Sequence, residues 1–260
     1  MKQFLKDKSF KNDLASTSIP FQLGLLQKAV NYQKWILESV WPFLGKRILE
    51  VGAGIGNMSR WFPVREKLIF SEIDPSLFTY LQSTTKKYFK ENDKVKALHV
   101  DLQKNWKELL EKENVDTIVS FNVMEHVEDD RQFFADLISI LKKSKTVLPK
   151  RLITFVPAHQ FLYGSVDKNY GHFRRYHYSD LKKMKNDIAP EADFFCRYLN
   201  LIGLPGWFIL GRVLKNKEIG EKSILSFEKL CPWIKSFDDF LHLKLKIPFG
   251  QSIVSIVTLK

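Results

Sequence analysis

Residues Ile48-Leu49-Glu50-Val51-Gly52-Ala53-Gly54-Ile55-Gly56-Asn57 decide how this chain is read. A short apolar run ends in an acid and enters a loop with glycine at alternate positions. Without a Cβ, such a loop turns sharply after a strand and lets backbone approach a ligand closely. A second apolar run begins at Lys67 and reaches another acid, Glu72. A carboxylate at the tip of a second strand, about twenty residues after the loop, accepts the hydroxyls of a ribose. These features predict an adenosine-containing ligand at the carboxyl edge of a parallel sheet.

The loop itself narrows the ligand. A P-loop ends in Gly-Lys-Ser/Thr, whereas Gly56-Asn57-Met58 stands here. A dinucleotide loop spaces its glycines as Gly-x-Gly-x-x-Gly, and Gly56 comes one residue too early. Glu50 would repel a pyrophosphate but suits a cationic amino-acid group. S-adenosylmethionine, with its sulfonium and ammonium, meets that requirement.

Ile48 to Gly56 resembles the first motif of class I S-adenosylmethionine-dependent methyltransferases, and Glu72-Ile73-Asp74-Pro75 resembles the second. His99-Val100-Asp101-Leu102 is similar to the third, and Phe121-Asn122-Val123-Met124-Glu125-His126-Val127 to the fourth. The resemblance implies S-adenosylmethionine as cofactor and S-adenosylhomocysteine as product. It implies cofactor contacts from Glu50, Gly52, Ala53, Gly54, Gly56, Asn57, Glu72, Ile73, Asp101, Leu102, Asn122, Val123 and His126. Val156-Pro157-Ala158-His159, Gly171-His172-Phe173-Arg174-Arg175-Tyr176, Asn31 to Trp35 and Gly250-Gln251-Ser252 resemble a bacterial subgroup associated with family-two glycosyltransferases. Lys145 to Lys150 departs from the Pro-Gly-Gly turn of many of those relatives.

Alternating strands and helices predict an α/β fold: a doubly wound, mostly parallel seven-stranded sheet with an antiparallel pair at one edge. The expected strands are 47–51, 68–70, 95–100, 115–121, 151–156, 193–198 and 252–259. Helices are expected over 22–44, 58–62, 75–90, 106–111, 129–142 and 179–188, the last capped by Ser179. The expected organisation is a helical extension, 1–45, and a methyltransferase domain, 46–260. That domain would carry a substrate loop, 157–178, and a lid insertion, 200–249. The apolar segment 199–214 is expected to be a buried lid or cap, with a membrane-interface role as the alternative.

The loop after the fifth strand, Val156 to Tyr178, collects three histidines, two arginines and four tyrosines. His159 or His172 is a candidate general base, with Tyr163 as a further catalytic candidate. Tyr163, Tyr170, His172, Arg174, Arg175 and Tyr176 are substrate-binding candidates, the arginines for a phosphate or carboxylate. A structural alternative pairs one arginine with Asp167 or Asp180. Glu125 could simply favour a helix N-terminus. No metal site is expected, because no ligand pair has zinc-like spacing.

The 260 residues carry a net charge of +12. That balance fits an anionic acceptor or an anionic membrane surface. Nucleic acid is the weaker choice, since neither Asn/Asp-Pro-Pro-Tyr nor Pro-Cys occurs. A non-catalytic binding protein on the same fold is a third possibility. The two cysteines, Cys196 and Cys231, suggest no disulfide framework and so a reducing cytoplasm, with inner-membrane association as an extension. The acceptor atom and the oligomeric state stay open.

Overall fold

The computed structural model describes residues 21–101, 104 and 106–260. The chain forms β1 (Arg47–Val51), β2 (Lys67–Glu72), β3 (Val95–His99), β4 (Thr117–Phe121), β5 (Lys150–Pro157), β6 (Asp193–Leu199) and β7 (Ser252–Leu259). Its helices are α1 (Phe21–Leu26), α2 (Val30–Val40), α3 (Pro75–Phe89), α4 (Trp106–Glu111), α5 (Asp130–Lys143), α6 (Ser165–Asn169), α7 (Tyr178–Ile188), α8 (Gly203–Phe208) and α9 (Glu221–Leu243).

The sheet order is β3-β2-β1-β4-β5-β7-β6. Pairs from β3 through β5 are parallel, and β7 runs antiparallel between β5 and β6. The winding reverses between β1 and β4, so their carboxyl ends open the crevice where such sheets take ligands. Every residue of β4 is buried, as a strand covered on both faces requires. One apolar cluster packs Phe134, Leu137 and Leu141 of α5 onto Leu49 and Ile118. The other packs Trp35, Leu37, Trp61 and Phe62 onto Ile48, Leu68 and Phe70. Each fully buried side chain of this size contributes about 1.5–3 kcal/mol.

Local chemistry explains where helices begin. Asp74 accepts the N–H groups of Ser76 and Leu77, with Pro75 as the first residue of α3. Asp129 accepts the Gln132 N–H at the start of α5. The helix expected over 22–44 is broken between α1 and α2. Gln33 Nε2 donates to Leu26 O, and Arg60 donates to Gln27 O, so side chains satisfy the carbonyls freed by the break. The helix expected at 58–62 is only a 3₁₀ turn, Ser59–Trp61. There Ser59 reaches Glu50 and Trp61 Nε1 reaches Gln33, contacts that hold the turn against β1 and α2. Ser179 is not the cap of α7. The helix starts at Tyr178, and Asp180 reaches back to accept the His177 N–H.

Most of the segment 199–214, expected as a buried lid, is not buried, although Leu199, Asn200 and Gly211 are. No residue of α8 is buried, and Phe208, Ile209, Val213 and Leu214 are exposed. The same holds for Leu230, Trp233, Phe237 and Phe240 on α9. Among the described residues no helix is long and apolar enough to cross a membrane.

Candidate functional site

The glycine loop leaves β1 with Gly52, Gly54 and Gly56 at φ of +69°, +57° and +86°, a region that side chains with a Cβ enter only at a cost. Gly52 lies against Val123, and Gly56 against Thr84, so neither position has room for a Cβ. Gly54 differs: a Cβ there would come no nearer than 4.0 Å to any neighbour. Its N–H donates to Glu72 Oε2 at 2.7 Å. Glu72 Oε1 accepts from Ile73 N at 2.8 Å and Asp74 N at 3.0 Å. The acid at the tip of β2 is thereby locked in place beside the loop. Ile73, next to it, is exposed, as a side chain lining an open cleft would be.

Glu50 is buried and accepts a hydrogen bond from Ser59. Burial pushes its carboxyl up to about 8, Ser59 opposes that shift, and the nearby Glu72 adds to it. Among the described residues no base forms an ion pair with Glu50 or Glu72. Two neighbouring acids without a cationic partner, beside a bend that faces open space, fit a cationic nucleoside such as S-adenosylmethionine. Asn57 anchors the loop to α1 by donating to Leu23 O at 2.9 Å. Ala53 is buried and donates to Ser71 O, so it joins the tips of β1 and β2. Asp101 follows β3, where its carboxylate lies 3.3 Å from Lys104 Nζ. Leu102 is outside the described residues. Asn122 and Val123 follow β4, and Asn122 takes a left-handed φ of +51° that turns the chain at the crevice.

The loop 157–178 folds around one buried ion pair. Asp167 accepts from Arg175 Nε at 2.8 Å, and its other oxygen caps the Gly164 N–H. Arg175 also donates to Ala158 O and lies over the Trp207 ring. This arginine is fully engaged inside the protein, so the expectation that it grips a substrate is corrected. The structural alternative, pairing with Asp167, is what forms. Arg174 pairs with Asp130 Oδ1 at 2.6 Å and donates to Glu128 O, which commits its guanidinium to α5. Tyr176 is corrected as well. It is buried, its hydroxyl donates to Asp130, and burial followed by that carboxylate drives its pKa far up.

His159 does not occupy a base position. It is 2% exposed, with its ring stacked on Tyr198 and Phe249 and near the Gly250 N–H. Burial, with His177 and Arg175 adding, lowers its pKa to about 4. Tyr163 donates its hydroxyl to His172 O at 2.7 Å and so braces the loop instead of pointing at a reactant. Tyr170 is half-buried, and its hydroxyl pKa is raised chiefly by burial.

His172 is the predicted residue that keeps a chemical position. Its Nδ1 lies 2.9 Å from Asp167 Oδ1, and its ring meets His126 edge-on with centroids 4.7 Å apart. Partial desolvation first, and then the neighbouring His172, lower the His126 pKa to about 4, although the residue keeps an exposed edge. Beside this pair lies Glu125, wholly buried, with both carboxyl oxygens lacking a hydrogen-bond partner. Burial pushes its pKa to about 8. Ligand atoms of Glu125, His126 and His172 lie within 4.8 Å of one another. Sequence spacing did not reveal this convergence, because the loop that delivers His172 is distant along the chain. Tyr32 of α2, apart from this cluster, is a further polar group that the sequence did not single out. Burial raises its hydroxyl to about 12, and Ser252, Asn200 and Asp238 surround it.

Against this geometry, a family described as a methyltransferase domain matches residues 27–187. The chain belongs to that methyltransferase family. It is an S-adenosylmethionine-dependent methyltransferase, and S-adenosylmethionine is its cofactor. Solved structures share its fold at low identity. A SAM-dependent methyltransferase from Archaeoglobus fulgidus is 16% identical with a TM-score of 0.52, over 90% of this chain and 94% of that one. The YcgJ protein from Bacillus subtilis is 13% identical with a TM-score of 0.53, over 88% and 97%. A cyclopropane-fatty-acyl-phospholipid synthase-like protein from Lactobacillus casei is 10% identical with a TM-score of 0.54, over 100% of both chains. A search of curated protein sequences finds no match.

Proposed function

We propose that this methyltransferase acts on an oxygen or nitrogen of an anionic small molecule or a lipid- or sugar-linked acceptor. In this reading residues 157–178 form the acceptor loop and 200–249 a lid over it, on a domain of residues 46–260 with 1–45 as an extension. One observation supports a lipid-linked acceptor above the others: the helix over the acceptor loop turns apolar side chains outward. Ser165 donates to Gly211 O, and Arg212 donates to Tyr163 O, so α8 and the turn after it are fastened to the loop. That same segment exposes Phe208, Ile209, Val213 and Leu214. Apolar side chains beside a cleft, on a chain of net charge +12, suit an acceptor carried at an anionic lipid surface. Resemblance to the subgroup associated with family-two glycosyltransferases supports an acceptor from surface-polysaccharide or lipid-linked-sugar synthesis. A cytoplasmic protein peripheral to the inner membrane would meet such an acceptor.

Bound S-adenosylmethionine supplies a methyl group already activated by its sulfonium. Glu50 and Glu72 would hold the cationic nucleoside, with the backbone of the loop from Gly52 to Gly56 giving it room beside them. Alignment of this kind supplies about 7 kcal/mol or more. The test is transfer of labelled methyl from the cofactor into fractionated bacterial extract. Label in organic-soluble lipid or anionic glycan supports the proposal. Label in RNA, with RNA binding that weakens steeply with salt, replaces it with the nucleic-acid reading.

A further inference from the structure

The cluster one turn beyond β4 has a chemistry that cofactor binding does not explain. Glu125 is 0% exposed, yet neither carboxyl oxygen meets a partner among the described residues. Protonated or ionised, a carboxyl in that state costs several kcal/mol unless something ligates it. Its oxygens face two imidazoles, with ligand atoms of all three residues within 4.8 Å. His126 is exposed and gives an entry path. His172 is turned by Asp167, which holds Nδ1 at 2.9 Å and leaves Nε2 for another partner. A carboxylate orienting a histidine through its far nitrogen is the usual support of a metal-ligating imidazole. The support is itself rigid, because Asp167 is buried and tied to Arg175 and Gly164.

We propose that Glu125, His126 and His172 bind a divalent first-row transition-metal ion. Two imidazoles and one carboxylate on one side of an ion are the donor set that suits Mn²⁺, Fe²⁺, Co²⁺ or Zn²⁺, with positions left open for oxygen ligands. Metal–ligand bonds of about 2.0–2.2 Å at angles of about 90–110° place ligand atoms roughly 2.8–3.6 Å apart, so atoms now within 4.8 Å of one another close by up to about 2 Å. Side-chain rotation supplies that. Glu125 and His126 follow closely on β4, whose carboxyl end borders the crevice. This inference goes beyond the acceptor class proposed above and does not depend on it.

The experiment is metal titration of the untagged, chelator-treated full chain with Co²⁺ and Zn²⁺, followed by calorimetry and by the visible spectrum of Co²⁺. The expected result is one ion per chain with a Co²⁺ spectrum of nitrogen and oxygen ligation. His126→Asn, at an exposed position that keeps the fold, weakens binding at least a hundredfold. Glu125→Gln does the same, and Asp167→Asn weakens it about 10–100-fold by releasing the His172 ring. His242→Gln, outside the cluster, leaves affinity unchanged. Wild-type protein that takes up no ion overturns the proposal. So does a His126→Asn protein that melts like wild type and binds Co²⁺ equally well.

Discussion

The backbone N–H of Gly54 donates to Oε2 of Glu72 at 2.7 Å, joining the bend after β1 to the acid ending β2. The bend and the acid of the proposed nucleoside site therefore hold each other. Glycine is needed there for two separable reasons, conformation and space, and substitutions divide them.

Gly54→Ala costs about 1–2 kcal/mol for its left-handed backbone, and its new methyl meets nothing nearer than 4.0 Å. Gly52→Ala carries the same strain and also drives a Cβ to 2.5 Å from Val123 Cγ2. Thermal melts should show a drop of a few degrees for Gly54→Ala and a larger one for Gly52→Ala. Gly54→Ala should nonetheless lose most of the melting rise that S-adenosylmethionine gives wild type. A full cofactor-induced rise would show that ligand does not lie against this bend.

Glu50 sets a conflict between stability and binding. Its folded pKa is raised from 4.5 to about 8, while the unfolded carboxyl ionises near 4.5. The folded state therefore holds a proton that the unfolded state has released, and cofactor-free stability falls as pH rises between those values. Glu50→Gln removes that loss. Without cofactor, the variant should melt at or above wild type at pH 8, yet fail to bind S-adenosylmethionine in calorimetry. Unchanged affinity would remove Glu50 from the site.

Arg175→Met takes from the buried Asp167 carboxylate its arginine partner and leaves it His172 and the Gly164 N–H, at a cost of about 3 kcal/mol. Arg174→Met breaks a partly exposed pair with Asp130 and should cost about 1 kcal/mol or less. Urea midpoints will rank the two. An Arg175→Met protein with a wild-type midpoint and only a raised KM for acceptor would restore the substrate role.

His242 links α9 to the turn before β7. Its Nδ1 faces Asp238 and its Nε2 faces Phe249 O at 2.8 Å, so hydrogen bonds raise its pKa above 6.5 despite burial. The stabilisation is complete below pH 6.5 and fades as pH rises through the folded value. Protection from hydrogen exchange in residues 238–250, with the intrinsic pH dependence of amide exchange divided out, should fall over that range in wild type. In His242→Gln protection should be low and unchanged with pH; wild-type protection that does not change with pH would contradict the assignment.

The sequence alone determined the sheet and the edge at which the cofactor is proposed to bind. Periodicity, glycine spacing and two acids are local signals, and they located β1, β2, α3, Gly54 and Glu72 without knowledge of the rest. Short-range competition was harder to read. Gln33 and Arg60 broke a continuous helical pattern, and Asp180 displaced Ser179 as the feature that begins α7. Tertiary structure decided the chemistry of the loop 157–178. Type and proximity in sequence made Arg175, Tyr176 and His159 look reactive, but Asp167 of the same loop and partners on α5, β6 and before β7 enclosed them. The same folding brought His172 to Glu125 and His126. Whether a polar side chain is a tool or a brace depends on what desolvates it and what pairs with it, and most of those neighbours, Asp167 apart, are far away along the chain.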